Sequence, residues 1–125
     1  MATLAAPGWD RYLPSILEQT APPDEVIVVV DRPTAPEERA ALADAWPQVT
    51  YVWNARNQGI TASLNSGLAA TQADIVFRMD DDDLSLPTRF ERQLACFAET
   101  GADIVASWGE GVSGDESRPY LIRCP

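Results

Sequence analysis

Residues Asp74-Ile-Val-Phe-Arg-Met-Asp-Asp-Asp-Asp-Leu-Ser-Leu-Pro-Thr-Arg-Phe-Glu91 decide how this chain is read. A mostly apolar run, 75–79, whose one charge is Arg78, leads into four consecutive carboxylates, Asp80, Asp81, Asp82 and Asp83. A Ser/Pro signal follows and starts an amphipathic helix at about Leu86, with Leu86, Phe90, Leu94 and Phe97 expected on its inner face. The pattern is that of a buried strand delivering acids to its own C-terminal end. In open α/β sheets, ligands bind in the crevice beyond the carboxyl ends of the strands. Four adjacent carboxylates repel one another, and a divalent cation is the simplest neutraliser.

Outward from this stretch, apolar runs alternate with helical patterns. Residues 25–30 are a nearly continuous β-branched run ending in Asp31, as expected of a central parallel strand. Residues 49–53 read as another strand, and 103–108 as one more. Before and between them lie a helix to about Gln19, one from the capping box Thr34-Ala-Pro-Glu37 to about Trp46, and one marked by Ile60, Leu64 and Leu68. Alternation of this kind predicts an α/β fold, a doubly wound and mainly parallel sheet with helices on both faces. Residues 1–6 are only weakly strand-like. Residues 109–125, with one apolar pair at Leu121 and Ile122, read as a loop or an unfinished element.

The bulk composition narrows the function. The 125 residues, 46% hydrophobic, make one ordinary domain. Nineteen acidic residues against nine basic ones, for a net charge of −10, disfavour nucleic acid and anionic membranes as partners. All nine basic residues are arginine. No apolar run is long enough to be a transmembrane segment, and Cys96 and Cys124 read as free thiols, so a cytoplasmic location is expected. With no histidine, Ser-His and Cys-His catalysis and histidine metal sites are excluded.

Three constellations remain for chemistry. The acidic turn fits a Mg²⁺ or Mn²⁺ site that also holds a diphosphate, because hard cations prefer oxygen ligands and Mg²⁺ is shared between carboxylates and substrate phosphates; the alternative is a solvated loop whose charge suits the N-terminus of the next helix. An EF-hand is rejected, since Ser85 stands where its loop requires glycine. Asp31, a second acid at a strand end, has the position of a base or ribose contact, or of a plain turn aspartate. The loop 53–59 ends in Gly59 before a helix whose N–H groups suit phosphate, with Arg56 nearby. Arg78, an arginine in an apolar run, needs a phosphate or a neighbouring acid; Arg89 is expected to pair with one of the acids.

At these residues the chain resembles the family 2 glycosyltransferases, whose nucleotide-sugar-binding half has the GT-A fold. Ser15-Ile-Leu-Glu-Gln-Thr20, followed by Pro22-Pro-Asp-Glu-Val-Ile-Val-Val-Val-Asp31, is similar to that family's "SIL.QT..P.EIVLV.DGP" segment. Asn57-Gln-Gly59 through Asn65-Ser-Gly67-Leu68 resembles "N.G...ALN.GL". Arg78-Met-Asp-Asp-Asp-Asp83-Leu-Ser-Leu-Pro-Thr-Arg-Phe-Glu-Arg-Gln93 resembles "RMDSDDISLP.R.E.Q", which contains the DxD motif.

The resemblance implies an enzyme that binds an activated sugar, a UDP-sugar or another NDP-sugar, with a divalent metal, and transfers the sugar to an acceptor that is itself a sugar, lipid or protein. By position, Asp31 would contact the base, Asp80 the ribose or sugar, and Asp82 the metal and diphosphate; Asn65 and Arg78 lie in matching segments. The family's first strand, central in its sheet, is reduced here to residues 1–5, and the glycine after the strand-end aspartate is replaced by Arg32. The general base and acceptor half are expected outside this chain, and none of Glu110, Asp115 and Glu116 is assigned as base. The expectation is therefore a nucleotide-sugar-binding GT-A-like domain over 1–108, with 109–125 a loop or the start of an acceptor-binding part. The competing classes are a non-catalytic nucleotide-binding or interaction module and a metal-dependent phosphate-ester hydrolase.

Overall fold

The β-branched run 26–30 forms the centre of the sheet. In the computed structural model, which describes residues 1–5, 8–112 and 119–122, it is strand β2 (Val26–Val30), paired in parallel with β1 (Ala2–Thr3) on one side and β3 (Val49–Trp53) on the other. Its side chains alternate between faces. Val26, Val28 and Val30 join the core cluster with Trp9, Leu13, Ile16, Met79 and Phe90, while Val29 on the opposite face meets Gly67, where an added Cβ would lie 3.2 Å from a Val29 methyl. Both faces are thus covered by helices, which is why β2 needs apolar residues without interruption.

The helices are a 3-10 turn (Trp9–Tyr12) running into α1 (Leu13–Leu17), then α2 (Pro36–Ala45), α3 (Ile60–Ala69) and α4 (Arg89–Thr100). Pro36 occupies the first turn of α2, where its missing N–H is harmless. The expected capping box is not made: Ala35 is the N-cap, and Thr34 donates its hydroxyl to Arg32 O at 3.2 Å instead. Gly101, at φ +63°, closes α4 in the left-handed conformation that favours glycine.

Three expectations are corrected. Residues 75–79 lie in the fold without ladder pairing and are not assigned as strand; β1 is only two residues long, so the edge on which they would pair is missing over most of its length. Residues 103–108 are also outside any strand, with Ile104 86% exposed. In the stretch after them, read as a loop or an unfinished element, β4 (Gly109–Val112) and β5 (Pro119–Ile122) form an antiparallel pair. Finally, α4 begins after Pro87, leaving Leu86 73% exposed, and its buried positions are Phe90 and Gln93. Asp115, Glu116 and Cys124 lie outside the described residues.

Candidate functional site

Strand β2 ends at Asp31, and parallel pairing brings the end of β1 beside it. Asp31 N–H donates to Thr3 O at 2.8 Å, and Thr3 Oγ1 donates to Asp81 Oδ2 at 2.5 Å while accepting the Ala5 N–H at 2.7 Å. Asp31 and Asp81, distant in sequence, are therefore both tied to Thr3.

Asp31 is buried and engaged. Its Oδ1 accepts from Asn54 Nδ2 at 2.7 Å and Gln58 N at 2.9 Å, and its Oδ2 from Gly59 N at 2.8 Å. Asn54 Nδ2 also reaches Ser63 Oγ at 3.2 Å. Burial alone would raise the Asp31 pKa; the hydrogen bonds from Asn54, Gln58, Ser63 and Gly59 outweigh it and hold the carboxyl below its ordinary value. A carboxylate has about four acceptor positions, and these four groups engage it from within the protein. The immediate work of Asp31 is to shape the 54–59 loop, in which Gly59 takes φ +83° before α3 begins. Arg56 is exposed on this loop.

The acidic turn divides its carboxylates among different tasks. Asp80 is paired with Arg78 at 2.5 Å. Arg78 is itself exposed, so its reading as a surface pair with a neighbouring acid holds and no buried guanidinium has to be explained. Asp81 is taken by Thr3. Asp82 is exposed and has no hydrogen-bond or ion-pair partner among the described residues. Asp83 has a raised pKa, first from burial and then from repulsion by Asp82 and Asp80, partly offset by Arg89 and Arg78. Asn65 is exposed on α3.

Among the described residues Arg89 makes no direct ion pair, and its charge reaches the acids only through its attraction to Asp83. Its guanidinium donates to Arg78 O at 3.0 Å, Met79 Sδ at 3.0 Å and Gln93 Oε1 at 3.1 Å, clamping the entry to the turn from behind. The exit is held by α1. Gln19 Nε2 donates to Ser15 O at 2.6 Å and Leu86 O at 2.9 Å, its Oε1 accepts the Phe90 N–H at 3.1 Å, and Ser15 Oγ accepts the Ser85 N–H at 3.1 Å. Thr20 adds its hydroxyl to Glu91 at 2.7 Å. Reasoning from patterns assigned Ser15, Gln19 and Thr20 no role; the Ser-Ile-Leu-Glu-Gln-Thr match was their only signal.

No group of three or more metal-ligating side chains is assembled among the described residues. The residue types nevertheless suit a hard cation shared with a phosphate ligand, since Asp82 is an uncommitted oxygen donor at the turn.

Comparison with known proteins fits this geometry. The family model described as glycosyl transferase family 2 matches residues 9–124, and the chain belongs to that family. It is 34% identical over 120 residues to the amylovoran biosynthesis glycosyltransferase AmsE of Erwinia amylovora, covering 93% of this chain and 44% of the relative. It is also 34% identical over 102 residues to the UDP-Gal:alpha-D-GlcNAc-diphosphoundecaprenol beta-1,3-galactosyltransferase of Escherichia coli, covering 78% of this chain and 37% of the relative. An uncharacterized glycosyltransferase of Haemophilus influenzae is 31% identical over 106 residues, 79% of this chain and 40% of the relative. The chain thus spans less than half the length of these relatives. No solved structure matches it significantly. Among the described residues, no helix is long and apolar enough to cross a membrane.

Proposed function

We propose that this chain forms the donor side of a glycosyltransferase, binding a nucleoside diphosphate sugar across the edge where β1, β2 and the acidic turn meet. The observation that carries this reading is the division of labour in the turn: Asp80 and Asp81 are held by Arg78 and Thr3, while Asp82 is left free. Asp82 would hold a Mg²⁺ or Mn²⁺ ion together with the diphosphate. A cation bound there supplies Lewis-acid neutralisation of the leaving diphosphate.

The chain's own residues bind and orient. Asp31 keeps loop 54–59 in place and so would shape the edge against which the base or ribose lies. Asp80 and Arg78 would contact the sugar or ribose, and Asn65, exposed on α3, would assist. The donor is read as a UDP-sugar, as the name of the Escherichia coli relative states for that protein. Its acceptor is a sugar, lipid or protein. The free thiol of Cys96 fits a cytoplasmic setting.

A second reading is a nucleotide-binding module without transfer activity. It is favoured by the engagement of the Asp31 carboxylate by Asn54, Gln58, Ser63 and Gly59 within the protein.

Calorimetric titration of UDP and GDP with and without Mn²⁺ tests the donor site. Metal-dependent binding that Asp82→Asn abolishes is the expected result. Failure of both nucleotides to bind at millimolar concentration with metal present would overturn it. Release of free sugar from a UDP-sugar separates the catalytic reading from the binding module.

A further inference from the structure

Arg89 is the first residue of α4, where the helix dipole disfavours a cation. It is half-buried, and burial holds its pKa below the ordinary guanidinium value, offset only in part by Asp83. A partly desolvated guanidinium with no direct ion pair among the described residues is costly unless its N–H groups are used. They are used on neutral acceptors. Two of these, Arg78 O and Met79 Sδ, both at 3.0 Å, belong to the residues that lead into the acidic turn. A planar fork reaches a carbonyl and a sulfur together, which a lysine ammonium does not.

The third acceptor explains how the fork is held. Gln93, one turn further along α4, is buried, and both ends of its amide are engaged. Its Nε2 donates to Val105 O at 2.9 Å, and its Oε1 accepts from Arg89 Nε at 3.1 Å. A backbone carbonyl can only accept, so Val105 fixes which way round the amide stands and leaves the oxygen for Arg89. Val105 is itself half-buried, between exposed neighbours from 102 to 108. The platform under Arg89 is equally fixed. The adjacent Phe90 is buried, stacks on Phe77 with ring centroids 4.2 Å apart, and gives its N–H to Gln19 Oε1 at 3.1 Å. One network therefore runs from Val105 through Gln93 and Arg89 to Arg78 and Met79, and Arg78 carries it to Asp80.

We infer that Arg89 is a positioning residue of the donor site, held in its pose by Gln93, and that its grip on Arg78 O and Met79 Sδ sets where Asp82 presents its carboxylate to a cation and diphosphate. The inference rests on the donor-site reading above and adds residues that touch no ligand. Arg89 acts from behind the turn, through backbone and sulfur. Its charge alone does not do this work, since a cation without the fork would leave the residues before the acids unheld.

The test uses the whole chain and three variants, Arg89→Lys, Gln93→Leu and Gln93→Glu. Amide hydrogen exchange at 80–83 is read with no metal added, and UDP is titrated calorimetrically with and without Mn²⁺. Arg89→Lys and Gln93→Leu are expected to speed exchange at 80–83 at least about tenfold, with the Val28 and Val30 amides unchanged. Both are expected to cut the gain in UDP affinity that Mn²⁺ brings at least about fivefold, leaving affinity without Mn²⁺ as it was. Gln93→Glu keeps an acceptor for Arg89 and should restore both readouts, although like leucine it loses the bond to Val105 O. Parent-like exchange at 80–83 in Arg89→Lys overturns the inference, as does equal impairment by Gln93→Glu and Gln93→Leu. If the variants alter exchange but the gain from Mn²⁺ is unchanged, the clamp is structural alone and the positioning role falls. A parent chain that binds no UDP with Mn²⁺ overturns the donor-site reading, and the positioning role with it.

Discussion

Thr3 and Asp81 are joined by a 2.5 Å hydrogen bond across 78 positions of sequence. The hydroxyl that makes it also accepts the Ala5 N–H, and the Thr3 backbone accepts the Asp31 N–H. One residue of a two-residue strand therefore connects both acids of the candidate site. Replacing Thr3 by valine keeps shape and removes this link. Hydrogen bonds to charged groups contribute about 1.5–3 kcal/mol, and Thr3→Val is expected to lower stability by about 1.5 kcal/mol. In a domain of this size that is a fall in Tm of about 5 °C, read by thermal denaturation followed by circular dichroism.

Asp31 sets a pH dependence whose sign is determined. Its folded pKa lies below the ordinary carboxylate value of about 3.9, so its ionised form is favoured by the fold. The stability it contributes is full above the unfolded pKa and is lost as pH falls through the folded one. Asp83 runs the other way: its folded pKa is raised, so its contribution is present below the unfolded value and disappears as pH rises through the folded one. Urea denaturation at a series of pH values below about 5 should therefore show a shallower acid loss in Asp31→Asn than in the parent chain. Parallel slopes for the two proteins would contradict the assignment.

Gln19 is a buried amide with three short backbone bonds that hold 85–90 against α1. Leucine in its place fills similar space but leaves the Leu86 carbonyl and the Phe90 N–H without their partner. Buried orphan groups cost about 1–3 kcal/mol each. Gln19→Leu is expected to destabilise by about 3 kcal/mol in equilibrium urea melts, and to increase exchange of the Phe90 amide before global unfolding.

Ser85 makes the opposite prediction. Its Oγ is buried with no hydrogen-bond partner among the described residues. Removing an unpaired buried hydroxyl relieves desolvation without breaking a bond. Ser85→Ala should be neutral or stabilise by up to about 1 kcal/mol; a loss of more than that in a chemical melt would show that the hydroxyl is satisfied in solution.

Much of the fold was legible because its signals are local. The β-branched run 26–30, the proline that starts α2 and the glycine that closes α4 each act through their own backbone preferences and immediate neighbours. The acidic turn was equally visible, because four carboxylates after an apolar run have few local explanations. The roles of its members were not. Which acid pairs with Arg78, which accepts from Thr3 and which is left free depends on residues brought together by the sheet and on the clamp from Arg89.

The failures have the same cause. Residues 75–79 carry a strand pattern, and no window of sequence reports whether a neighbouring strand is long enough to pair with them. Leu86 matches a helical stripe, yet Pro87 and the bonds from Gln19 place the helix start beyond it. By itself, the sequence determined the α/β alternation, the central strand and the acidic turn at its edge, since these follow from periodicity, backbone preference and charge along the chain. Only the tertiary structure decided that Asp31 is spent largely on its own loop and that Asp82 is the uncommitted acid, since hydrogen-bond partners are set by which segments fold against each other.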